Sequence, residues 1–407
     1  MTTTSTPTDI TDELLTTWAT DPNGPVALRL KQKLLPVTAD DGEPGIIYPP
    51  TYADIGYSTD LLADKKRVAL IDSVGSQANR LEPIFKEKFS ANGTNDAEWL
   101  VPQIEIILSP EKDKSQEKGR EPAPREKRSL LDLAHRSADA VVQSCPELKK
   151  LVDPAFESLR RGDAGPLCNL APTSLIFGVW DSRGRSGEKR PRLIRSVIRA
   201  WDVETLHTAA QFNSVWKALD KEQQEALKTE AKAKKVKLSE KGLADAPSVH
   251  RKTKLAIPRA QDGAANPEAR VLGGILVRDR IEREVTVNLL ALRNLRGKDN
   301  DETKKLQKYL LGLTLIAATH EVDLFLREGC QLRYAETEDN WYTVPRRGTA
   351  NKVALGALTA LAVIRQFALN AAQPFREYWP KTHDYQFDLA EAKKLLANKD
   401  EETPEEE

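Results

Sequence analysis

The chain has 407 residues, and its 61 lysine and arginine residues are balanced by 61 aspartate and glutamate residues, so the formal net charge is zero. This length allows two or three domains, or one domain enlarged by insertions. The global charge therefore does not favour binding to a polyanion, and a basic site would have to arise from local segregation of charge.

The cysteines and the N-terminus restrict the class of protein further. Cys145, Cys168 and Cys330 are odd in number and widely spaced, which argues against a disulfide framework and against a zinc knuckle. The N-terminus lacks the basic and apolar regions of a signal peptide, and no apolar run approaches the roughly 18 residues of a membrane helix. We therefore expect a cytoplasmic protein with no membrane association, no metal and no cofactor.

Composition divides the chain into a body, two tails and two insertions. Residues 1–20 are threonine-rich and residues 399–407 are acidic, and both patterns predict disordered tails. The stretches near 109–129 and 217–262 contain too few apolar residues to build a core. We interpret the first as a solvated loop and the second as a charged helix followed by a loop, both inserted in a single domain over 21–398.

The body mixes strand-like and helix-like patterns. Strand-like runs occur at Val26–Val37, Val101–Leu108, Ser174–Trp180, Arg192–Trp201, Gly274–Val277 and Val285–Leu289. Helical patterns occupy Ser73–Phe89, Leu130–Cys145, Lys304–Leu326 and Val353–Asn370. The elements do not alternate regularly, so the sequence predicts an α+β fold whose antiparallel sheet is covered by helices on one face.

The segment Leu170–Val203 has the strongest local charge. Two strand-like runs flank the link Asp181–Gly184, where Asp first and Gly fourth favour a type I turn. Between Trp180 and Trp201 seven basic residues outnumber two acidic ones, a local net charge of +5. The basic residues are Arg183, Arg185, Lys189, Arg190, Arg192, Arg195 and Arg199. The pattern predicts a hairpin with a basic tip.

The second strand of that hairpin has two different faces. With a period of two, Ile194, Ser196, Ile198 and Ala200 share one face, and Leu193, Arg195, Val197, Arg199 and Trp201 share the other. Guanidinium groups bind phosphates and an indole offers a stacking surface, as on sheets that bind single-stranded nucleic acid. The alternative is a solvated arginine face with Trp201 packed in the core.

A second candidate site lies at the start of a predicted helix, over Asp72–Glu82. Asp72 or Ser73 suits the N-cap, and four polar side chains fall in the first turns, where the helix dipole favours an anion. They are Ser76, Gln77, Asn79 and Arg80. A capped helix with a polar outer face explains the same pattern.

Two charged residues on the predicted helix Leu130–Cys145 leave alternatives open. His135 has Asp139 four residues later, which favours a local pair. Arg136 could reach a backbone phosphate or one of the protein's own acids, and we include it among the candidate nucleic-acid-binding residues.

Catalytic motifs are absent from the sequence. There is no phosphate-binding loop, no zinc-protease motif and no nucleophile elbow. We interpret His383-Asp384 as a chance dipeptide, because the other histidines lack ligand spacing. We therefore do not expect an enzyme.

Six ordered blocks carry a resemblance to a known family. They are DSVGSQANRLE (Asp72–Glu82), LDLAHRSADAV (Leu131–Val141), APTSLIFGVWDSRG (Ala171–Gly184), RLIRSVIRAWDV (Arg192–Val203), LGGILVRDRIEREVTVNL (Leu272–Leu289), and YLLGLTLIAAT with LREGCQL (Tyr309–Thr319, Leu326–Leu332). The chain resembles the backbone subunit of CRISPR RNA-guided surveillance complexes, of the repeat-associated mysterious protein (RAMP) superfamily, in its type I-G (formerly I-U) variant.

The resemblance implies an RRM-like (ferredoxin-like) core with large thumb and finger insertions. It also implies copies that assemble head to tail along a guide RNA (crRNA) and present it for pairing with target DNA. Other implied partners are a large subunit, a subunit that binds the repeat-derived end and a helicase-nuclease. Ser76-Gln77, with Arg80 downstream, corresponds to a helix start that meets RNA in such proteins. The aromatic signature of RRM domains is missing, so we expect contacts with the RNA backbone.

The resemblance also suggests a rival function. Related subunits in other CRISPR types cut target RNA with an aspartate on a thumb loop, and Asp181 would be the corresponding residue here. This alternative is an endoribonuclease rather than a scaffold.

Overall fold

The computed structural model describes residues 8–52, 55–90, 97–108, 126–181, 187, 189–208, 215–236, 238–241, 243, 271–337 and 339–397. Within these residues the α-helices are α1 (Asp12–Thr20), α2 (Val74–Leu81), α3 (Ala140–Gln143), α4 (Pro146–Arg160), α5 (Gly165–Leu170), α6 (Pro172–Phe177), α7 (Lys221–Ala233), α8 (Leu289–Arg293), α9 (Asn300–Thr319), α10 (Leu358–Arg376) and α11 (Leu389–Ala397). Short 3-10 turns cover Glu82–Lys86, Leu130–Asp132, Arg136–Ala138, Val215–Ala218 and Leu238–Lys241.

The strands are mostly short. They are β1 (Ala27–Pro36), β2 (Gly45–Ile47), β3 (Thr51–Tyr52), β4 (Gly56–Tyr57), β5 (Thr59–Leu61), β6 (Arg67–Asp72), β7 (Glu105–Ile107), β8 (Lys127–Ser129), β9 (Val179–Trp180), β10 (Lys189–Arg190), β11 (Ile194–Trp201), β12 (Val203–Thr208), β13 (Val271–Val277), β14 (Ile281–Asn288), β15 (Phe325–Arg327), β16 (Cys330–Tyr334), β17 (Trp341–Val344), β18 (Asn351–Val353) and β19 (Asp384–Gln386).

The main sheet is antiparallel throughout. Its path is β15-β16-β1-β14-β11-β6-β5, with β17 beside β1 and β18 beside β17. Within it, β1, β11, β14 and β16 lie in the order 4-1-3-2, counting them along the chain. Helices connect the first of these strands to the second and the third to the fourth. This is the βαββαβ connectivity of a ferredoxin-like fold, so the α+β prediction is confirmed and the core is compatible with an RRM-like fold carrying insertions.

The long strands follow the alternation that their sequences predict. On β1, Leu28 and Leu30 are buried, whereas Arg29 and Lys31 are exposed. The burial of β14 alternates from Ile281 to Asn288 in the same way. Period-two patterning therefore sets one apolar face and one charged face on the sheet.

Helices pack against the apolar face. In the larger hydrophobic cluster, Leu28, Leu30 and Val285 of the sheet lie with buried residues of α9 such as Leu306 and Leu310. A smaller cluster lies under the neighbouring β12-β13-β2 sheet, and Ile198 belongs to it. Strand β11 thus contributes to both clusters, which fixes the position of its charged face.

Three sequence predictions about elements are wrong. Residues 12–20 are not a disordered tail: they form α1, whose Leu15 and Trp18 are buried. Most of Ser174–Trp180 is not a strand, because α6 begins with Pro172 as a first helical residue and buries its whole apolar run. Short, fully buried apolar runs do not distinguish helix from strand.

The third wrong prediction is the helix over Leu130–Cys145. Arg136 adopts a φ of 55°, in the left-handed region, so a continuous α-helix cannot pass through it. The chain forms two 3-10 turns instead, and Asp139 then caps the short helix α3 by accepting a hydrogen bond from the Val141 backbone N–H.

The predictions for the two insertions compare differently with the structure. The charged helix predicted after Lys217 is confirmed as α7, which begins with a capping box between Asp220 and Gln223. The predicted loop over 109–129 ends in a strand, because β8 pairs with β7 and buries Ser129. Residues 109–125, 244–270 and 399–407 lie outside the described residues.

Candidate nucleic-acid interface

Helix α2 begins where the sequence predicted. Ser73 is its N-cap, and its Oγ accepts a hydrogen bond from the Ser76 backbone N–H at 3.2 Å. Ser76 is half-buried, Asn79 is exposed and Gln77 is fully buried. The prediction that Gln77 contacts RNA does not agree with this burial.

Gln77 instead belongs to a buried polar network centred on Arg283, which is 1% exposed. Arg283 Nε donates to Gln77 Oε1 at 3.1 Å and to Ser196 Oγ at 3.0 Å. Arg283 Nη1 donates to Gln32 Oε1 at 2.8 Å. Burial lowers the pKa of Arg283. The network joins α2 to three strands of the main sheet, so its role is to hold the helix in place.

Sequence analysis missed Arg283, although a signal exists. The residue falls on the same period-two face of β14 as Ile281 and Val285, both of which are buried. An arginine on a core face requires buried hydrogen-bond acceptors, because desolvation of an unpartnered charge is strongly unfavourable.

Arg80 is largely occupied by the protein itself. Its Nε atom donates to Asp72 Oδ2 at 3.1 Å, and its Nη2 atom donates to the Leu326 carbonyl oxygen at 2.7 Å. Gln77 Nε2 donates to the same Asp72 oxygen at 2.6 Å. Asp72 therefore ties the start of α2 to its own strand, and Arg80 presents little free charge to a ligand.

Arg136 is buried, at 4% exposure, and the alternative that the sequence left open is decided in favour of a protein acid. Its Nε atom lies 2.6 Å from Glu82 Oε2. Its Nη1 atom donates to the Gly178 carbonyl oxygen at 3.3 Å, and its Nη2 atom donates to Asn79 Oδ1 at 3.4 Å. Burial raises the pKa of Glu82 to about 7 in spite of the neighbouring guanidinium. Arg136 is therefore a structural residue, and the prediction that it binds RNA does not agree with its position.

The basic hairpin is smaller than predicted. Strand β9 pairs only with β10, while β11 leaves the hairpin and pairs with β14 and β6. Arg190 Nη2 donates to the Leu159 carbonyl oxygen at 2.9 Å, and Lys189 is exposed. Arg183 and Arg185 lie outside the described residues.

Strand β11 has the two faces that its sequence predicted, except that Leu193, just before the strand, and Val197 are buried on the arginine side. Ile194, Ser196, Ile198 and Ala200 are buried, while Arg195 is exposed and Arg199 and Trp201 are half-buried. Val197 was expected on the arginine face but is buried. Its register partner is Glu284 of β14, and long charged side chains can cover a small apolar neighbour with their stems.

Acids on β14 neutralise part of the charge on the open face of the sheet. Arg199 Nη1 lies 3.4 Å from Glu284 Oε2. Lys31, on β1, lies 3.0 Å from Glu282 and 3.2 Å from Glu284. Arg280 stacks on the Trp201 ring at 4.9 Å from its centroid, so that the indole is partly covered. The local charge of +5 is thus reduced where β14 runs beside β11.

Arg192 and Arg195 are the cations that remain available. Both side chains are exposed, and within the described part of the chain neither side chain makes a hydrogen bond or an ion pair. Partial desolvation and the like charges of Arg136 and Arg195 lower the pKa of Arg192. Clustered cations without a protein anion form an attractive site for an external one. The pairing of β6 with β11 begins only at Ile198, so no residue of β6 lies in register beside Arg192 or Arg195.

Two negative findings apply to the described residues. They contain no group of three or more His, Cys, Asp or Glu side chains that could hold a metal ion. None of their helices is both long and apolar enough to cross a membrane.

One family model matches part of the chain. Residues 28–205, fewer than half of the chain, match the family described as CRISPR-associated protein GSU0053. This segment runs from β1 into β12 and contains every candidate RNA-binding residue named above from Ser76 to Trp201. Over these residues the chain is therefore similar to a CRISPR-associated family. No curated protein matches the chain.

A solved structure described as "CRISPR RNA-guided surveillance complex, pre-nicking" contains a similar chain. The two are 13% identical, with a TM-score of 0.31, and the match covers 91% of this chain and 99% of the other.

Proposed function

We propose that this chain is the guide-RNA-binding backbone subunit of a type I-G CRISPR interference complex. Copies assemble head to tail along the RNA and leave its bases available for pairing with target DNA. The observation that carries the proposal is the exposed, unpaired pair Arg192 and Arg195, within a segment that matches a CRISPR-associated family.

The chemistry of the site favours phosphate over base edges. A guanidinium group binds phosphate through charge-assisted hydrogen bonds that do not depend on base identity. In RNA-guided complexes the sequence is recognised by base pairing, whereas the protein recognises the backbone and its shape. Lys189, Asn79 and Ser76 are accessible enough to extend the contact, and Arg199 can join it by leaving Glu284.

The same proposal includes the cellular setting. The complex acts in the cytoplasm with a large subunit, a subunit for the repeat-derived end of the guide and a helicase-nuclease. The chain itself performs no catalysis. Asp181, the residue of the rival nuclease hypothesis, is 2% exposed and engaged in a contact within the protein, so its carboxylate is not presented to RNA.

The test is RNA binding as a function of salt. For single strands the logarithm of the affinity falls linearly with the logarithm of the salt concentration, with a slope of about 0.7 for each phosphate that the protein neutralises. The double variant Arg192→Ala, Arg195→Ala should therefore bind unstructured RNA more weakly and lower that slope by about 1.4. Lys150→Ala, which removes an exposed lysine of α4 paired with Glu147, is the control and should change neither quantity. An unchanged slope in the double variant would contradict the assignment.

Assembly and specificity are tested with the same protein. The number of bound copies should increase with RNA length in sedimentation experiments. Unrelated RNAs of equal length should bind alike, and affinities that differ more than about a hundredfold would require base recognition. Labelled complementary RNA should stay intact in the assembled complex with magnesium, whereas regular cuts would favour the nuclease.

A further inference from the structure

Trp180 is an exposed indole between buried neighbours. Its side chain is 60% exposed, whereas Val179 and Asp181 are 5% and 2% exposed. An exposed indole offers a large, rigid aromatic surface with which a ligand can stack. The backbone on both sides is anchored, and the indole is therefore presented to solvent from a fixed base.

The β9-β10 ladder explains why the ring points outward. Trp180 is the register partner of Lys189, and Val179 is the register partner of Arg190. Partners across a ladder lie on the same face. The face with Val179 and Arg190 is packed against the protein, where Arg190 is bonded to the Leu159 carbonyl. The opposite face presents an indole and an ammonium group together.

The two groups on that face are already in contact. Lys189 Nζ lies 5.5 Å from the centroid of the Trp180 ring, a cation–π distance. An aromatic ring beside a cation is the combination that binds an unpaired nucleotide, because the ring stacks on the base and the cation pairs with its phosphate. Trp201, the indole that the sequence favoured, is half-buried and partly covered by Arg280.

We infer that Trp180 is a stacking platform for one unpaired base of the bound RNA, with Lys189 on the adjoining phosphate. This rests on the proposed function and adds to it a contact with the base. The contact is independent of base identity, because every base offers a ring face. In the complex the base takes the place of the ammonium group on the indole, and Lys189 turns toward the phosphate.

The test separates bases from phosphates. Wild type, Trp180→Ala and Trp180→Phe are compared on an RNA of about 12 nucleotides, short enough for one binding site, and on a ribose-phosphate chain of equal length without bases. Stacking predicts that Trp180→Ala binds the RNA about 5- to 150-fold more weakly with an unchanged salt slope. The phenylalanine variant should retain most of the affinity, and all three proteins should bind the base-free chain equally. Tyr378→Ala, which removes another exposed aromatic side chain, should behave as wild type.

Three results would overturn the inference. In the first, wild type and Trp180→Ala bind the short RNA equally. In the second, Trp180→Ala loses as much affinity for the base-free chain as for the RNA. The third is normal binding to short RNA with fewer copies bound to long RNA, which would place the indole against a neighbouring protein. If wild type bound no RNA at low salt, the proposed function would fail as well. In the first three results the proposed function survives.

Discussion

Arg136 and Glu82 form a buried ion pair in which Arg136 Nε lies 2.6 Å from Glu82 Oε2, with the side chains 5% and 1% exposed. The same guanidinium bonds to the Gly178 carbonyl, immediately before β9, and to Asn79 on α2. This one side chain therefore joins the candidate site at Asp72–Glu82 to the base of the hairpin that carries Trp180.

Replacing Arg136 by Met should leave the Glu82 carboxylate buried without its partner. Removing one member of a buried ion pair destabilises a protein by about 3–5 kcal/mol, and we expect a loss of up to that size in the free energy of unfolding by urea at about pH 8, above the Glu82 pKa of about 7, where the carboxylate is mostly ionised. Arg161→Ala breaks an exposed pair with Glu157 and should change it by less than about 1 kcal/mol. Similar values for the two variants would contradict the role of the buried pair.

Glu82 should also make stability depend on pH. Its pKa is about 7 in the folded protein and 4.5 as an ordinary glutamate, so the native state keeps a proton that the unfolded state has lost. Stability should therefore fall as pH rises through this window, by at most about 3 kcal/mol from this group. Urea unfolding between about pH 5 and pH 8 should show a smaller decline for Glu82→Gln than for wild type. If the free energy of unfolding fell equally with pH in the two proteins, the prediction would be wrong.

Arg195 and Arg199 share a strand face but differ in pairing, so their variants should differ. Arg195→Ala should weaken RNA binding by about tenfold or more, since it removes a charge-assisted bond to phosphate. Arg199→Ala should have a smaller effect, because Arg199 must first leave Glu284. Fluorescence-anisotropy titrations at one salt concentration measure the two affinities. A larger loss of RNA affinity for Arg199→Ala than for Arg195→Ala would contradict the prediction.

Gly312 lets α9 and α10 approach closely. A Cβ atom at Gly312 would lie 2.8 Å from the Ala368 Cα, which is backbone and cannot turn away. Gly312→Ala should therefore lower stability by about 1–3 kcal/mol, as overpacking does. At Gly75, on α2, the nearest atom to such a Cβ is Ser73 Oγ at 3.9 Å. Gly75→Ala should leave stability unchanged or raise it by up to about 1 kcal/mol, and equal melting temperatures for the two variants would count against the close helix contact.

Trp18 tests whether the N-terminal helix is part of the core. The side chain is 2% exposed in the larger hydrophobic cluster, and Trp18→Ala should destabilise the protein by about 3–5 kcal/mol. Glu13→Ala, on the exposed side of α1, is the control and should change stability by less than about 0.5 kcal/mol. A melting temperature unaffected by Trp18→Ala would mean that α1 is dispensable.

Local sequence patterns were sufficient to predict the long regular elements. The alternation from Ile194 to Trp201 predicted which side chains of β11 are buried, apart from Val197. The helical pattern over Lys304–Leu326 predicted α9, which covers Asn300–Thr319 and is buried at every residue from Tyr309 to Ala318. In both cases the pattern extends over many residues, which makes it a strong local signal of the conformation.

Local patterning failed where the conformation depends on distant partners. The apolar run of α6 suits a buried strand and a buried helix equally well, and its packing decides between them. The turn at Arg136 has a left-handed backbone, and its guanidinium contacts Glu82, Asn79 and the Gly178 carbonyl. None of these partners is adjacent to it in sequence.

For the candidate site, too, some properties follow from local sequence and others only from the tertiary structure. The sequence by itself determined that Arg192, Arg195 and Arg199 are concentrated beside β11 and that α2 begins at Ser73, since charge content and capping are local properties. Only the tertiary structure decided which of the cations are available. Glu284 reaches Arg199 because β14 pairs with β11, and Gln77 is buried because Arg283 faces it from the same strand. The free charge of a basic residue depends on the acids brought beside it by folding, and strand pairing sets those neighbours across more than eighty residues of chain.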